Sequence, residues 1–240
     1  FTIYEESFSC FYNSPNIELK YPITSGEFPM KKIISLCMIL SFFASSAFST
    51  TLKSDEELKK MDSITFVKEM GNGINLGNTM EATNNWLGFN ANPEQYELAW
   101  GQPITIKPYF DAYKEAGFDS VRIPVAWTNT MDWRNGDFEI NKDYLERVAT
   151  VVQYALDADL YVIINDHWDY GWWGLFGHDQ KTAYKIFDAI WDTVGTYFKD
   201  YSPRLVFEAG NEEWGDRFND KVDGKPGKLG IGAQYKLITT

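Results

Sequence analysis

Residues Arg204 to Gly215 read R-L-V-F-E-A-G-N-E-E-W-G. Leu205 to Gly210 is a short apolar run holding one carboxylate, and it ends in Asn211, Glu212, Glu213 and Trp214. A buried parallel strand reads as a nearly continuous apolar segment, and in an α/β barrel the reactive groups stand where such strands end. An amide, two carboxylates and an indole at one strand end therefore point to chemistry. The bland alternative is that the two glutamates open a solvated loop, where charged side chains usually sit. The other strand ends decide between these readings.

Upstream, three more apolar runs end in polar groups. Gly71 to Thr79, G-N-G-I-N-L-G-N-T, reads as a first strand with a glycine-bent end. Its glycines lack the G-x-G-x-x-G spacing of a dinucleotide turn, and no helix follows directly. Ser120 to Trp127, S-V-R-I-P-V-A-W, is a second strand with Arg122 inside it, and such an arginine needs an anionic partner. Leu160 to His167, L-Y-V-I-I-N-D-H, is a third. Between them, helical spacing of apolar residues predicts helices over Pro108 to Gly117, over Lys142 to Asp157 with Asn141 as its cap, and over about Thr182 to Phe198. Ser54 followed by Glu57 resembles a capping box for a short leading helix. Thr83 to Thr105, with Asn84, Asn85, Trp86, Asn92 and Pro93, reads as a loop. Asp216 to Gly230 reads as another, and Gly232 to Thr240 as a final helix. Strands alternating with helices imply βαβ units on a parallel sheet. A doubly wound open sheet is the alternative, but its ligand turn usually carries a phosphate loop, and none is found here.

Composition narrows the partners. A net charge of -12 argues against nucleic acid, which needs basic patches. Met30 begins M-K-K, followed by the apolar run Ile33 to Ala44 and then small residues, the parts of a secretory signal peptide over residues 30–49. The run is too short for a permanent membrane helix. Cleavage after Ser49, or after Ala47, would give a secreted, extracellular chain. Residues 1–29 would then lie upstream of the initiator as a non-native segment, and 50–240 would form the mature stretch. Both cysteines, Cys10 and Cys37, precede the cut, so neither disulfides nor a cysteine metal site would remain. Loss of residues 1–49 removes three basic and four acidic residues and leaves a charge of -11.

Taken together, G-I-N-L-G-N-T at 73–79, G-F-D-S-V-R-I-P-V at 117–125, Y-V-I-I-N-D-H at 161–167 and F-E-A-G-N-E at 207–212 resemble the glycoside hydrolase family 5 cellulases. These are retaining β-glycanases with the (β/α)8 TIM-barrel fold. The resemblance covers residues 64 to 240 and implies that only about the first four βα units are present. It makes Glu212 the general acid/base and Asn211 the neighbour that holds the sugar 2-hydroxyl. It places Arg122 beside the nucleophilic carboxylate and His167 along the cleaved subsite. The chemistry agrees, because a glycosidic oxygen leaves only when protonated, while a second carboxylate about 5 Å away attacks the anomeric carbon. The family's nucleophile is a glutamate ending the seventh strand, and no residue up to Thr240 matches it. The chain is therefore expected to be an N-terminal fragment that neither folds stably nor hydrolyses glucan alone. Two positions depart from the family's pattern. Glu213 stands where proline usually follows the acid/base, and Trp168 replaces a second histidine, which implies a subsite that stacks more and hydrogen-bonds less.

The remaining candidates divide by residue type. Glu208 shares strand parity with Glu212 and is expected to pair with Arg122 one layer down. Trp168, Trp172 and Trp173, among Gly171, Gly174 and Gly177, are read as a sugar platform, with Trp214, Trp86 and Trp127 as weaker members. Asn75 and Asn78 either bind distal sugars or cap the strand-end turn. His167 and His178 near Asp166 and Asp169 fit no standard zinc spacing, and the resemblance implies neither metal nor cofactor. The function implied is a retaining endo-β-1,4-glucanase acting on β-glucan, with no membrane partner once the signal is cleaved. A mannanase or xyloglucanase on the same scaffold, or a non-catalytic carbohydrate-binding protein, are the rivals.

Overall fold

The computed structural model describes residues 52–84, 86–212 and 215–239. The readings of residues 1–49 as an upstream segment and a signal peptide lie outside the described residues, as do Glu213 and Trp214.

Two short helices lead, α1 (Asp55–Leu58) and α2 (Ser63–Glu69). Ser54 and Glu57 form the expected reciprocal capping box, and Asp62 caps α2 through the amides of Ile64 and Thr65. Four strands follow, β1 (Gly73–Asn75), β2 (Ser120–Ile123), β3 (Tyr161–Asn165) and β4 (Leu205–Glu208). All neighbours are parallel, in the order β1-β2-β3-β4. This is the ordering of consecutive βα units and not of a doubly wound sheet, whose strand order reverses at a switch point.

Three helices cover the outer face. They are α4 (Lys107–Glu115), α5 (Lys142–Asp157) and α6 (Gln180–Phe198). Asn141 starts α5 by accepting from the amides of Asp143 and Tyr144, and α5 turns Tyr144, Val148, Val151, Val152 and Ala155 inward, all fully buried. Ile186, Ile190 and Val194 do the same on α6. Each such aliphatic side chain contributes about 1.5–3 kcal/mol by leaving water. Gly117 stops the α4 segment with φ of 90°, a conformation that a side chain would strain. The last helix is α7 (Ile231–Thr239).

The segment read as a loop over 83–105 contains a further helix, α3 (Pro93–Glu97). Asn92 and Gln95 make a capping box around Pro93 at the first turn, a start signal that the surrounding turn formers obscure. Tertiary contacts hold this short helix. Glu97, fully buried, accepts from Arg147 Nε at 2.6 Å and from the Thr105 amide at 2.7 Å.

Strand alternation separates two chemistries. Val121, Ile123, Val162 and Ile164 face the helices and are fully buried. Asn75, Arg122, Ile163, Val206 and Glu208 have the opposite parity and are exposed or half-buried. Register sets Asn75 beside Arg122, and Asn165 beside Glu208.

Candidate active site

Arg122 is the hub of the strand ends. Its guanidinium forks onto Glu208, Nε to Oε2 at 2.6 Å and Nη2 to Oε1 at 2.7 Å, and Nη2 also donates to Asn211 Oδ1 at 2.8 Å. The expected partnership of Arg122 with Glu208 is therefore present. Hydrogen bonding to Glu208 raises the guanidinium pKa against the effect of burial, and the charges of Glu208, Glu81 and Glu212 add to it.

Glu212 follows Asn211 with φ of 55°, a left-handed conformation that costs a non-glycine residue about 1–3 kcal/mol. Its side chain is 71% exposed and accepts from Arg217 Nη2 at 3.2 Å. The charge of Glu212 acts on both Arg122 and His167, so the three share one neighbourhood.

His167 is half-buried, its amide donating to Val125 O at 2.9 Å. Burial, and then the charge of Arg122, hold its imidazole below the ordinary histidine range. Asn165, fully buried two residues earlier, accepts from the Val125 amide at 3.2 Å through Oδ1. Its Nδ2 lies 3.3 Å from His167 Nδ1. Asn75 is exposed at the β1 end, and Asn78 holds φ of 60° with its amide donating to Glu81. Glu81 is 4% exposed, also accepts from the Thr79 amide at 2.8 Å, and burial pushes its carboxyl up.

Trp168 is 38% exposed and rests over Gly171, where an added Cβ would meet its Nε1 at 3.3 Å. It remains a candidate platform. Trp172 and Trp173 do not. They are 0% and 6% exposed, stack on one another at 4.4 Å between centroids, and pack with Phe176, Phe187 and Phe218. The cause is local, since Asp169, Tyr170 and Gly171 all take positive φ. These residues turn the segment back on itself, and the indoles beyond them enter the core. Trp127 is likewise buried, with Nε1 donating to Asn165 O at 2.9 Å. Trp86 is 91% exposed. Among the described residues no group of three or more His, Cys, Asp or Glu is arranged to hold a metal ion.

Several residues of this region escape a sequence reading. Glu81, Asn165 and Asp169 are buried polar groups whose partners are set by turns or by distant chain. Asn165 lies inside the 161–167 motif, and Glu81 and Asp169 stand two residues beyond the 73–79 and 161–167 motifs, so a polar residue in or near a strand-end motif is the one signal that would have flagged them.

Residues 76–223 match the family model described as cellulase (glycosyl hydrolase family 5). The chain belongs to glycosyl hydrolase family 5. Endoglucanase A of Clostridium longisporum is 33% identical over 187 residues, covering 76% of this chain and 35% of that protein. A solved GH5-4 broad specificity endoglucanase from the same organism superposes with a TM-score of 0.59 at 34% identity, over 70% of this chain and 45% of that one. One from Ruminococcus champanellensis with bound cellotriose gives 0.55 at 31% identity, over 74% and 47%. The chain thus spans about a third to a half of the length of these relatives. The four parallel strands and their helices are, for this family 5 member, consecutive units of the (β/α)8 barrel.

Proposed function

We propose that these residues carry the acid/base side of a retaining endo-β-1,4-glucanase site, with β-glucan as substrate. The observation that carries the reading is the forked Arg122–Glu208 pair, which holds Asn211 at the β4 end and leaves the adjoining Glu212 open to solvent. Glu212 protonates the glycosidic oxygen as the bond to the anomeric carbon breaks, and later takes the proton from the attacking water. Asn211, its Oδ1 engaged by Arg122, presents its amide N–H group to the sugar 2-hydroxyl. His167 lines the cleaved subsite, and Trp168 offers an indole face to a pyranose ring. Asn75 and Asn78 face more distal sugars. The nucleophilic carboxylate belongs to a seventh strand, and none of the 240 residues matches its motif, so this stretch made alone is expected to release no reducing sugar.

Secretion is part of the same proposal, supported by the M-K-K and apolar run at 30–44. Among the described residues no helix is long and apolar enough to cross a membrane.

Glu212→Gln in the full-length enzyme should remove hydrolysis of carboxymethylcellulose while cello-oligosaccharide binding persists. Normal turnover by that variant would exclude Glu212 as acid/base. Turnover by residues 50–240 alone would overturn the division of the site.

A further inference from the structure

The stretch Asp166-His167-Trp168-Asp169 sends its outer two side chains into the core and keeps its inner two partly exposed. Asp166 and Asp169 are both 0% exposed. Two carboxyls removed from water must be satisfied by donors or share a proton. Asp169 is heavily satisfied. The Thr128 amide reaches both its oxygens, at 3.1 and 2.9 Å, and Thr128 Oγ1 donates to Oδ1 at 2.5 Å. Asp166 also hydrogen-bonds to Asp169, and itself accepts from Trp172 Nε1 at 3.2 Å.

Thr128 stands just beyond β2, so Asp169 ties the exit of β2 to the exit of β3 across 41 residues of chain. Next to it, the Tyr170 hydroxyl accepts from the Asn84 amide at 2.6 Å, which joins the loop after β1. The backbone is left-handed at Asp169 and Tyr170, with φ of 44° and 59°. Such conformations persist where surrounding contacts over-determine them, and they cluster at functional sites. The titratable groups on which the charge of Asp169 acts are Tyr144 from α5 and the adjoining Tyr170.

We propose that Asp169, backed by Asp166, is the positioning residue for His167 and Trp168, its carboxylate pinning to Thr128 the stretch that presents both rings. The inference rests on the reading of those two rings as substrate-facing groups. Burial pushes the Asp169 carboxyl up to about 6, and the hydrogen bonds with Asp166 and from Thr128 oppose the rise. At neutral pH Asp169 is thus ionised and accepts from the Thr128 amide and hydroxyl together.

The test uses the full-length protein as Asp169→Asn and Thr128→Val, each followed by NMR titration of the His167 ring and by kcat and KM on a soluble cello-oligosaccharide. Asp169→Asn and Thr128→Val are expected to move the His167 ring signals of the folded protein and to lower kcat/KM by on the order of tenfold to a hundredfold, the loss typical of slightly misplaced groups. Lowered melting temperatures with unchanged His167 signals and unchanged kcat/KM would overturn the proposal. Should the wild type release no sugar from any β-glucan, the function reading fails and the NMR arm decides alone, a shift supporting the positioning role and its absence refuting it. Should Asp169→Asn not fold, Thr128→Val carries the decision.

Discussion

Arg122 and Glu208, on strands separated by β3, are joined by two parallel hydrogen bonds of 2.6 and 2.7 Å. The pair spans the inner face of the sheet. Its side chains are 20% and 34% exposed, so water screens it only in part. Glu208→Gln removes the charge and leaves the guanidinium half-buried without its forked partner. The expected loss is about 1–3 kcal/mol, below that of a fully buried pair because of the residual exposure. Urea denaturation checks it, and Arg122→Lys should lose nearly as much because an ammonium cannot fork.

The tryptophans should separate by role. Trp172→Ala and Trp173→Ala empty the core and are expected to lower stability by about 3–5 kcal/mol. Trp168→Ala, at 38% exposure, should leave melting nearly unchanged and weaken cello-oligosaccharide affinity. Calorimetry of both kinds of variant distinguishes platform from packing.

Two glycines make a paired prediction. At Gly177 an added Cβ would lie 2.4 Å from both Gly227 Cα and Phe218 O, backbone atoms that cannot swing aside. Gly177→Ala should therefore cost about 1–3 kcal/mol. Gly195, inside α6, has nothing within 4 Å of its Cβ position and no positive φ. Gly195→Ala is expected to stabilise by about 0.5–1 kcal/mol, and thermal melts of the two variants should move in opposite directions.

Asp169 predicts a pH dependence of stability. Its folded value is raised from 3.8 to about 6, so the folded state binds more protons than the unfolded one between those values. Stability contributed by this group is present at about pH 4 and is lost as pH rises toward 6, by at most about 3 kcal/mol. Asp169→Asn should flatten that slope in melts recorded from pH 4 to 7.

His167 runs the other way, since its folded value is depressed and the folded state binds fewer protons just below pH 6.5. Its contribution is present above 6.5 and lost on acidification. With only two histidines in the chain, a His178→Asn background isolates its ring signals. Their midpoint should lie below 6.5.

Much of the fold was legible because apolar period and caps agree. α5 begins after Asn141 and ends at Asp157 as its stripe predicts, and the parity of Glu208 with Glu212 led to Arg122. The misreadings share a cause. Glycines around Trp172 and Trp173 resemble those of an open loop, yet the left-handed residues before them bury the rings. Nothing local to Asp169 reveals Thr128, 41 residues away, and turn formers around Asn92 hid a helix held by Arg147. Long-range partners, more than local preference, set these outcomes.

Asn165 has only one way to lie. The Val125 amide demands its oxygen, so its NH2 group must point at the neighbouring imidazole nitrogen. Nδ1 of His167 then accepts, and in the neutral ring the single proton is fixed on Nε2. What the ring has left to offer a bound molecule is a hydrogen and not a lone pair, which selects for a hydroxyl oxygen and against another donor.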